Sequence, residues 1–462
     1  MIALSLAEIA SVTGGHLDAV PDGAVTVTGP VVADSREVAA GGLFVAVRGE
    51  RVDGHDFAAA AVAGGAAAVL AEHAVGVPAV LVDDSVRALG DLARAVLDRA
   101  VATDVVGVTG SSGKTSTKDL LAQVLAGRGP LVAPQGSYNT EVGVPLTVLA
   151  VDEATRTLVL EMGARGTGHI AYLCQIAPPG IGIVLNVGSA HLGEFGDRES
   201  IARSKAELVE ALPPHGTAVL NGDDPLVRRM AELTEAKVLM VGESVHADIR
   251  AESVGLDRSG RAAFMLVAPG GTAQVRLQVV GEHQVGNALA AAGAAHALGL
   301  GVDEVAAGLT AARPLSRWRM EVVERADGVT VVNDAYNANP ESMRAALTAL
   351  VAMAGDRRTW AVLGEMRELG EASTVEHEAV GRLAVRLDVG KIVAVGEGAR
   401  AVHVGAANDV SRADEAAWVP DIGAALALLR DQVQPGDVVL VKASRAAGLE
   451  QLADALLQEV AG

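Results

Sequence analysis

Residues 105–125 read Val-Val-Gly-Val-Thr-Gly-Ser-Ser-Gly-Lys-Thr-Ser-Thr-Lys-Asp-Leu-Leu-Ala-Gln-Val-Leu. The apolar start of this stretch predicts a buried strand, and the residues after 115 predict a helix. The glycine-rich loop between them favours phosphate binding, because small residues let backbone N–H groups approach phosphate oxygens and the helix N-terminus adds partial positive charge. The groups expected to hold a nucleotide are those of Thr109, Gly110, Ser111, Ser112, Gly113, Lys114 and Thr115.

Two side chains of this loop carry specific expectations. Lys114 is expected to reach the β- and γ-phosphates of ATP, and the Thr115 hydroxyl is expected to bind Mg²⁺. The usual pattern has a glycine five positions before Gly113, where this chain has Val108. The alternative is a glycine-rich turn without a ligand, and that alternative leaves Lys114 unexplained.

Apolar strands and helical segments alternate after the loop. Strands are predicted at 157–160, 181–186 and 217–221, an antiparallel insertion at 248–280, and a helix at 284–298. This alternation predicts an α/β fold with a parallel, doubly wound sheet, whose ligands bind at the C-terminal ends of the strands. Polar residues follow those ends at Glu161, Asn186 and 221–224.

Two more α/β units flank this one. Before it, the patterns predict strands at 25–27, 43–47, 69–70 and 79–82, and helices at 57–68 and 85–102. After the polar segment 313–317, strands are predicted at 329–332, 359–363, 391–395 and 437–441. We therefore expect three domains, formed by residues 1–100, 101–313 and 314–462.

Composition argues against several classes of protein. The chain of 462 residues has a net charge of −20, which disfavours nucleic-acid binding, because phosphate backbones require a basic surface. Cys174 is the single cysteine, so we expect a buried thiol and a reducing compartment. The N-terminus lacks the basic segment of a signal peptide, and no apolar run suits a membrane span. We expect a cytoplasmic protein.

Several separated motifs resemble those of the Mur ligases of cell-wall synthesis, and the resemblance covers essentially the whole chain. A short TGxxGKT-type loop is characteristic of this family, which accounts for Val108. Gln284 and Asn333 depart from the family pattern, which has Asn and commonly Asp at these positions. The other motifs that carry the resemblance lie at 34–36, 42–49, 53–57, 138–145, 161–164, 189–196, 204–207, 281–288 and 333–340.

The resemblance implies a three-domain architecture, with a central phosphate-loop domain and a C-terminal Rossmann-like domain. It is strongest to the family member that joins D-alanyl-D-alanine to UDP-N-acetylmuramoyl-tripeptide, and segments 363–370 and 441–450 favour that member. The implied reaction consumes ATP: the peptide carboxylate attacks the γ-phosphate, and the incoming amine then attacks the acyl phosphate. A monomer is expected.

The N-terminal motifs imply binding of the UDP-linked substrate. Ser35, Arg36 and Arg48 would contact the uracil and the diphosphate, and Asn139 and Thr140 would contact the muramoyl group. By themselves, these residues are also typical of turns and surface ion pairs.

Three residues resemble the family's metal-site groups. Glu161 and His191 resemble ligands of two Mg²⁺ ions, although histidine is an unusual ligand for Mg²⁺. Lys205 resembles a lysine that is carbamylated by CO₂ in several family members. The alternative for Lys205 is an exposed helix lysine paired with Glu207 or Glu210.

The remaining motifs imply contacts across the domain cleft. Asn287 would contact the adenine, and Arg317, in preference to Arg319, would contact the ATP phosphates. Nucleotide contacts are also expected from Asp334, Tyr336 and Asn337, and contacts with the dipeptide carboxylate from Lys442, Ser444 and Arg445. The residues expected to act in catalysis are Lys114, His191, Lys205 and Arg317.

Two other functions are compatible with the phosphate loop. One is another ligase of the same architecture, such as the enzyme that adds the third residue of the tripeptide, or folylpolyglutamate synthase. The other is an NTPase switch that hydrolyses ATP without an acceptor. The N-terminal unit at 34–57 argues against the folate enzyme, and the set of Glu161, His191 and Lys205 has no evident purpose in a switch.

Overall fold

A computed structural model describes residues 1–20, 22–49, 52–134, 136–188, 195–408 and 415–458. Within these ranges the chain forms three α/β units, each with its own main sheet, as the sequence predicts. No helix among the described residues is long and apolar enough to cross a membrane.

The first unit contains a five-stranded sheet in the order β2-β7-β6-β5-β4, parallel except for β2. Asp84 caps the long helix α3, whose apolar stripe faces the core. The elements are β1 (Leu4–Ser5), α1 (Leu6–Thr13), β2 (His16–Asp18), β3 (Thr26–Val27), β4 (Val31–Val32), β5 (Leu43–Val45), α2 (Ala58–Ala63), β6 (Ala68–Ala71), β7 (Ala79–Leu81) and α3 (Ser85–Arg99).

The predicted helix at 57–68 is too long. Helix α2 ends at Ala63, and strand β6 begins at Ala68. Gly64 and Gly65 separate them, and Gly65 has a φ of +110°, which stops the helix despite the run of alanines.

The second unit contains a nine-stranded sheet in the order β16-β15-β14-β13-β12-β11-β8-β10-β9. Neighbouring strands pair in parallel, except that β15 pairs antiparallel with both β14 and β16. Its elements are β8 (Asp104–Thr109), α4 (Lys114–Val124), β9 (Leu131–Val132), α5 (Gly143–Val148), β10 (Thr157–Glu161), α6 (His169–Ile176), β11 (Ile181–Val184), α7 (Arg198–Glu210), β12 (Thr217–Asn221), α8 (Pro225–Arg229), β13 (Lys237–Gly242), β14 (Ile249–Leu256), β15 (Arg261–Ala268), β16 (Gly271–Val280), α9 (Gln284–Ala297) and α10 (Val302–Ala311).

The third unit contains a six-stranded sheet in the order β17-β18-β22-β19-β20-β21, parallel except for β17. Its elements are β17 (Glu321–Glu324), β18 (Thr330–Asp334), α11 (Pro340–Ala354), β19 (Thr359–Leu363), α12 (Ser373–Arg386), β20 (Lys391–Val395), α13 (Arg400–Ala407), β21 (Ala416–Val419), α14 (Ile422–Gln432), β22 (Val438–Lys442) and α15 (Glu450–Gln458). The elements that were not predicted from the sequence include the helices α1 and α10 and the strands β1, β2, β4, β9, β13, β17 and β21.

One hydrophobic core joins the first two units. It runs from Leu4 and Leu92 to Leu160 and Leu208, and so covers one face of the central sheet. A second core covers the opposite face of that sheet, and the third unit has two cores, one on each face of its sheet, the first of which also includes Val280 of β16. Parallel strands buried on both faces read as continuous apolar runs, which is why β8 was predictable.

In the connection between the second and third units, the residues before Arg317 form hydrogen bonds with the second unit and those after it with the third. Before it, Arg313 and Ser316 bond to α4, where the Arg313 N–H donates to Gln123 Oε1 (2.8 Å) and Ser316 Oγ donates to Asp119 Oδ2 (2.6 Å). After it, Trp318 and Met320 have φ of +59° and +49°. Their N–H groups donate to Glu321 Oε2 and Asp334 Oδ1, both at 3.0 Å, within the third unit.

Candidate functional site

The phosphate loop follows β8 and ends at the start of α4, as predicted. Gly113 has a φ of +84°, and a Cβ there would lie 2.3 Å from Asn287 Oδ1. Asn186, at the end of the neighbouring strand, accepts the Ser112 N–H at 3.0 Å, and Lys114 Nζ donates to the Gly110 carbonyl at 2.5 Å. The loop therefore has a left-handed glycine and a lysine folded back over the loop, as is typical of an anion-binding loop.

Glu161 ends β10 directly beside this loop and is fully buried. Its Oε2 accepts hydrogen bonds from Thr115 Oγ1 (3.1 Å) and Ser137 Oγ (3.2 Å), whereas Oε1 has no hydrogen-bond partner among the described residues. Lys118 Nζ lies 4.0 Å from Oε1. Burial raises the pKa of Glu161, and the nearby cations Arg319, Lys118 and Lys114 oppose that rise.

This carboxylate and the two hydroxyls form a compact set of oxygen donors. Mg²⁺ prefers such oxygens and keeps part of its water shell. The buried, unpaired Oε1 is a feature that a cation would satisfy, so the residues present fit the predicted metal site. His191, the other predicted ligand, lies outside the described residues.

Lys205 lies on α7 and is only 5% exposed. The alternative of an exposed lysine paired with Glu207 or Glu210 is wrong, because Lys205 is buried. The Glu207 carboxylate accepts the N–H groups of Gly168 (2.6 Å) and Ala171 (2.9 Å) at the start of α6. Burial lowers the pKa of Lys205 to about 7, and the charge of Lys114 acts in the same direction.

Two clefts meet at this point. The Lys205 cleft, of about 710 Å³, lies between the first two units. The phosphate cleft, of about 400 Å³, lies between the loop and the third unit. Lys114, Asn139 and Glu368 line both clefts. A group bound in one cleft can therefore reach a group bound in the other.

The third unit contributes an ion pair to the phosphate cleft. Lys442, 2% exposed, donates to Asp334 Oδ2 at 2.6 Å and to the Asn337 carbonyl at 2.8 Å. Tyr336 lines the cleft beside them, with the Arg319 guanidinium 4.2 Å above its ring. Asp334, Tyr336 and Asn337 thus lie together in the phosphate cleft, and Lys442, which was predicted to contact the dipeptide carboxylate, lies with them.

The two predicted arginines of this face lie elsewhere. Arg317 is 65% exposed, 3.8 Å from Asp454, and stacks on Trp318. Arg445 pairs with Glu450 at 2.7 Å and covers the other side of the same indole. Arg319, which the sequence analysis ranked second, is the arginine that lines the phosphate cleft.

The remaining nucleotide and dipeptide residues have structural partners. Asn287 donates to Gln284 Oε1 at 2.9 Å and accepts from Thr117 Oγ1 at 3.4 Å, so its amide lies under the phosphate loop. Ser444 Oγ accepts the Arg367 N–H at 3.0 Å.

A third cleft, of about 630 Å³, separates the first unit from the segment before α5. Asp34, Tyr138 and Thr140 line it, whereas Thr140 and Asn139 also line the Lys205 cleft. Ser35 begins a short 3₁₀ turn, and Arg36 pairs with Asp34 at 2.5 Å on the surface.

Arg48 belongs to a polar cluster in the first unit. It lies 3.4 Å from Glu72 and 3.6 Å from Asp53. His55 Nδ1 contacts Asp53 at 2.6 Å, and its Nε2 accepts the Glu72 N–H at 3.0 Å. Because both ring nitrogens are already bonded, the role of His55 here is structural.

The sequence analysis did not single out Ser137 or Glu368, and it gave Arg319 only second place. Ser137 directly precedes the motif at 138–145, and a lone serine in a loop gives no signal of its own. The positive φ of Glu368, +66°, is invisible in a sequence, because non-glycine residues rarely adopt it.

Family models match this chain in three consecutive segments. The Mur ligase family catalytic domain matches residues 30–103, the Mur ligase middle domain residues 108–295, and the Mur ligase glutamate ligase domain residues 318–445. The chain belongs to the Mur ligase family.

Relatives resemble it over its whole length. The UDP-N-acetylmuramoyl-tripeptide–D-alanyl-D-alanine ligase of Mycobacterium tuberculosis (strain ATCC 25618 / H37Rv) is 52% identical, with 99% of this chain and 98% of the relative covered. The ligase of the same name from Bacillus subtilis is 33% identical, with 99% of each chain covered.

Solved structures confirm the predicted fold class. A crystal structure of MurF from Acinetobacter baumannii superposes with a TM-score of 0.88 at 32% identity, covering 99% of each chain. The crystal structure of the MurF ligase of Thermotoga maritima in complex with ADP superposes with a TM-score of 0.81 at 34% identity, covering 94% of this chain and 98% of that chain.

Proposed function

We propose that this protein joins D-alanyl-D-alanine to UDP-N-acetylmuramoyl-tripeptide with ATP, and so makes a precursor of peptidoglycan. The observation that carries this proposal is the 52% identity, over nearly the whole of both chains, to ligases of that name. The paired clefts support it, because a ligase must bring an anionic substrate and a nucleotide phosphate to one point.

ATP binds with its phosphates on the loop 109–115. Backbone N–H groups of the loop and the N-terminus of α4 bind phosphate oxygens, and Lys114 exchanges its bond to the Gly110 carbonyl for the β- and γ-phosphates. Arg319 stabilises the same charge from the opposite wall. Arg317 remains a predicted contact that requires the third unit to move.

The UDP-linked substrate binds along the Lys205 cleft and the cleft beside Tyr138. The tripeptide carboxylate then lies near Lys114, where the two clefts meet. Ser35, Arg36 and Arg48 remain predicted contacts of its uridine diphosphate end, while Asn139 and Thr140 lie on the path between the ends.

Glu161 and the Thr115 hydroxyl would hold Mg²⁺, with His191 as the predicted ligand of a second ion, and the bound ion would supply positive charge beside the γ-phosphate. Electrostatic stabilisation dominates the attack of the carboxylate on the γ-phosphate, because the reactants are both anions.

Lys205 is carbamylated in the active enzyme. The reaction with CO₂ needs a neutral amine: its nitrogen forms a bond to the carbon and releases one proton. Burial of Lys205 supplies that neutral amine near pH 7. The product is an anion that the Lys114 charge stabilises.

The test is ADP release with ATP and Mg²⁺, with the product mass read in parallel. UDP-N-acetylmuramoyl-tripeptide is supplied with and without D-alanyl-D-alanine. Product that carries the dipeptide, formed only when both substrates are present, supports the proposal. ADP release without either acceptor identifies an NTPase instead, and product with a single amino acid and the shorter precursor identifies a different ligase of the family.

A further inference from the structure

Glu368 has an unusual backbone conformation. Its φ is +66°, in the left-handed region, and it lies two residues before Gly370, at +55°. A residue with a Cβ adopts this conformation only where its surroundings impose it, and such residues concentrate at functional sites.

The surroundings that impose it are visible on both sides of Glu368. Met366 and Leu369 are buried, which fixes the loop on the third unit. The Arg367 N–H donates to Ser444 Oγ at 3.0 Å, and the Met366 N–H donates to His377 Nε2 at 2.8 Å.

His377 is suited to hold this loop. It is fully buried, and its Nδ1 lies 2.7 Å from the Ser373 carbonyl. Burial lowers the pKa of His377, so the neutral ring donates from Nδ1 and accepts at Nε2. These hydrogen bonds therefore fix the backbone of the loop that carries Glu368.

Glu368 is presented to the point where the two clefts meet. The other described residues that line the Lys205 cleft lie between 84 and 205, so Glu368 is the contribution of the third unit to that cleft. Its carboxylate is near enough to Lys114 to raise the pKa of that amine, against the lowering by burial. The charged groups that line one or both clefts with it include Lys114, Glu161, Lys205, Arg319, Asp334 and Lys442.

A carboxylate at this position does not help to bind ATP or the tripeptide carboxylate, because both are anions. It suits a cation, and the ammonium group that must come to the acyl carbon at this place is that of the incoming dipeptide. Of the residues predicted to hold the dipeptide carboxylate, Ser444 contacts this loop, because its Oγ accepts the Arg367 N–H at 3.0 Å.

We propose that Glu368 binds the ammonium group of the incoming dipeptide and accepts one of its protons. This inference rests on the proposed function. The ammonium passes one proton to a Glu368 oxygen and becomes a neutral amine. Its nitrogen lone pair then forms the bond to the acyl carbon, the carbon–oxygen bond to phosphate breaks with its electrons going to phosphate, and the second proton leaves with the phosphate. Glu368 returns its proton to water.

The variants Glu368→Gln and Glu368→Gly separate this role from a structural one. Glutamine keeps the size and the strained φ but not the charge, whereas glycine removes the strain as well. Glu371→Gln is the matched control, since Glu371 is an exposed carboxylate of the same loop. We expect kcat/KM for the dipeptide at pH 7 to fall about 100-fold in both Glu368 variants and to stay unchanged in the control.

Hydroxylamine, which is uncharged at neutral pH, serves as an acceptor that needs no proton removed beforehand. With ATP and UDP-N-acetylmuramoyl-tripeptide, we expect Glu368→Gln to form the hydroxamate as fast as the unmodified enzyme. Raising the pH toward the range where the dipeptide amine is neutral should restore its use by Glu368→Gln.

Three results would overturn the inference: an unchanged kcat/KM for the dipeptide, an equal loss of hydroxamate and dipeptide product, or no recovery at high pH. Failure of the unmodified enzyme to use the dipeptide at all would instead refute the proposed function. The two failures are therefore distinguishable.

Discussion

At the scale of single residues, this site brings together groups that are costly to keep without their ligands. The buried Glu161 carboxylate has a charge that a bound cation would use, and Gly113 has a left-handed conformation that is open to glycine but strained for other residues. Substitutions at these positions therefore separate stability from function.

Glu161→Gln should stabilise the protein without metal and disable it with metal. Because the pKa of Glu161 is raised in the folded state, its charge costs stability increasingly as pH rises above the ordinary value of 4.5. At pH 8 without Mg²⁺, we expect the free energy of unfolding of the variant to exceed that of the unmodified protein by about 1 kcal/mol, and its melting temperature to be higher accordingly. The difference should vanish near pH 4.

The same variant should lose its response to Mg²⁺. Addition of Mg²⁺ to the ADP-bound protein should raise the melting temperature of the unmodified protein but not that of Glu161→Gln, because a ligand that binds only the folded state stabilises it. Glu199→Gln, at an exposed position, is the control. Equal shifts in both variants would contradict the assignment of Glu161 as a ligand.

Gly113→Ala should fail for two reasons that a double-mutant cycle separates. The Cβ would meet Asn287 Oδ1 at 2.3 Å, and the φ of +84° strains any residue but glycine. We expect a loss of about 1–3 kcal/mol in unfolding free energy. Asn287→Ala in the same chain should recover part of it, and strictly additive effects would show that the two residues do not conflict.

Carbamylation of Lys205 gives a prediction for pH. Its amine is neutral above about pH 7 and becomes protonated below it, so the extent of modification should fall as pH falls through about 7. Activity after removal of CO₂ should be low, and bicarbonate should restore it at pH 8 but much less at pH 6. Mass spectrometry of the intact protein should show the added CO₂. Full activity of an enzyme whose Lys205 is unmodified would contradict the proposed carbamylation.

At the scale of elements, the start of β22 depends on one buried carboxylate. Asp437 accepts Arg358 Nη2 at 2.6 Å, Trp360 Nε1 at 2.8 Å and the Gln434 N–H at 2.9 Å, and so links β19, β22 and the end of α14. Burial acts to raise the pKa of Asp437, and these hydrogen bonds outweigh it, so the pKa is lowered.

Asp437→Asn should therefore destabilise the third unit by about 2–3 kcal/mol at pH 7. A lowered pKa means that the stabilisation is present above the ordinary value of 3.8 and is lost as pH falls through the lower folded value. Urea unfolding at pH 7 and at pH 3 should show the variant's deficit shrinking at the lower pH. Asp431→Asn, on the exposed side of α14, is the control.

The elements also show how far the sequence could lead. Strands such as β8 and β10 were predictable, because burial on both faces makes them continuous apolar runs. Helix α2 was predicted too long, since alanine content does not reveal the left-handed Gly65 that ends it. Glu161 and the phosphate loop were recognisable as local motifs. Glu368 was not, because its position between two clefts depends on three units that meet only in the folded chain.

At the scale of the whole molecule, the first two units share one large core, whereas Val280 is the residue of the second unit that joins a core of the third among the described residues. We therefore expect the first two units to unfold as one cooperative body and the third unit as another. Calorimetry should then resolve two transitions. Leu92→Ala, in the shared core, should lower only one of them, and Leu452→Ala, in the core of the third unit, only the other; each should cost about 2–5 kcal/mol. A single transition moved equally by both would contradict this division.

The switch at Arg317 from hydrogen bonds with the second unit to hydrogen bonds with the third has a consequence for the exchange of domains between related enzymes. Ser316 is tied to α4, while Trp318 and Met320 hold left-handed conformations through bonds to the third unit. A chimaera spliced at Arg317 keeps each set of bonds within one parent. A splice after Met320 would join Trp318 and Met320 to a third unit from another parent, without the acceptors that hold their left-handed conformations. We therefore expect a chimaera spliced at Arg317 to fold and one spliced after Met320 not to fold.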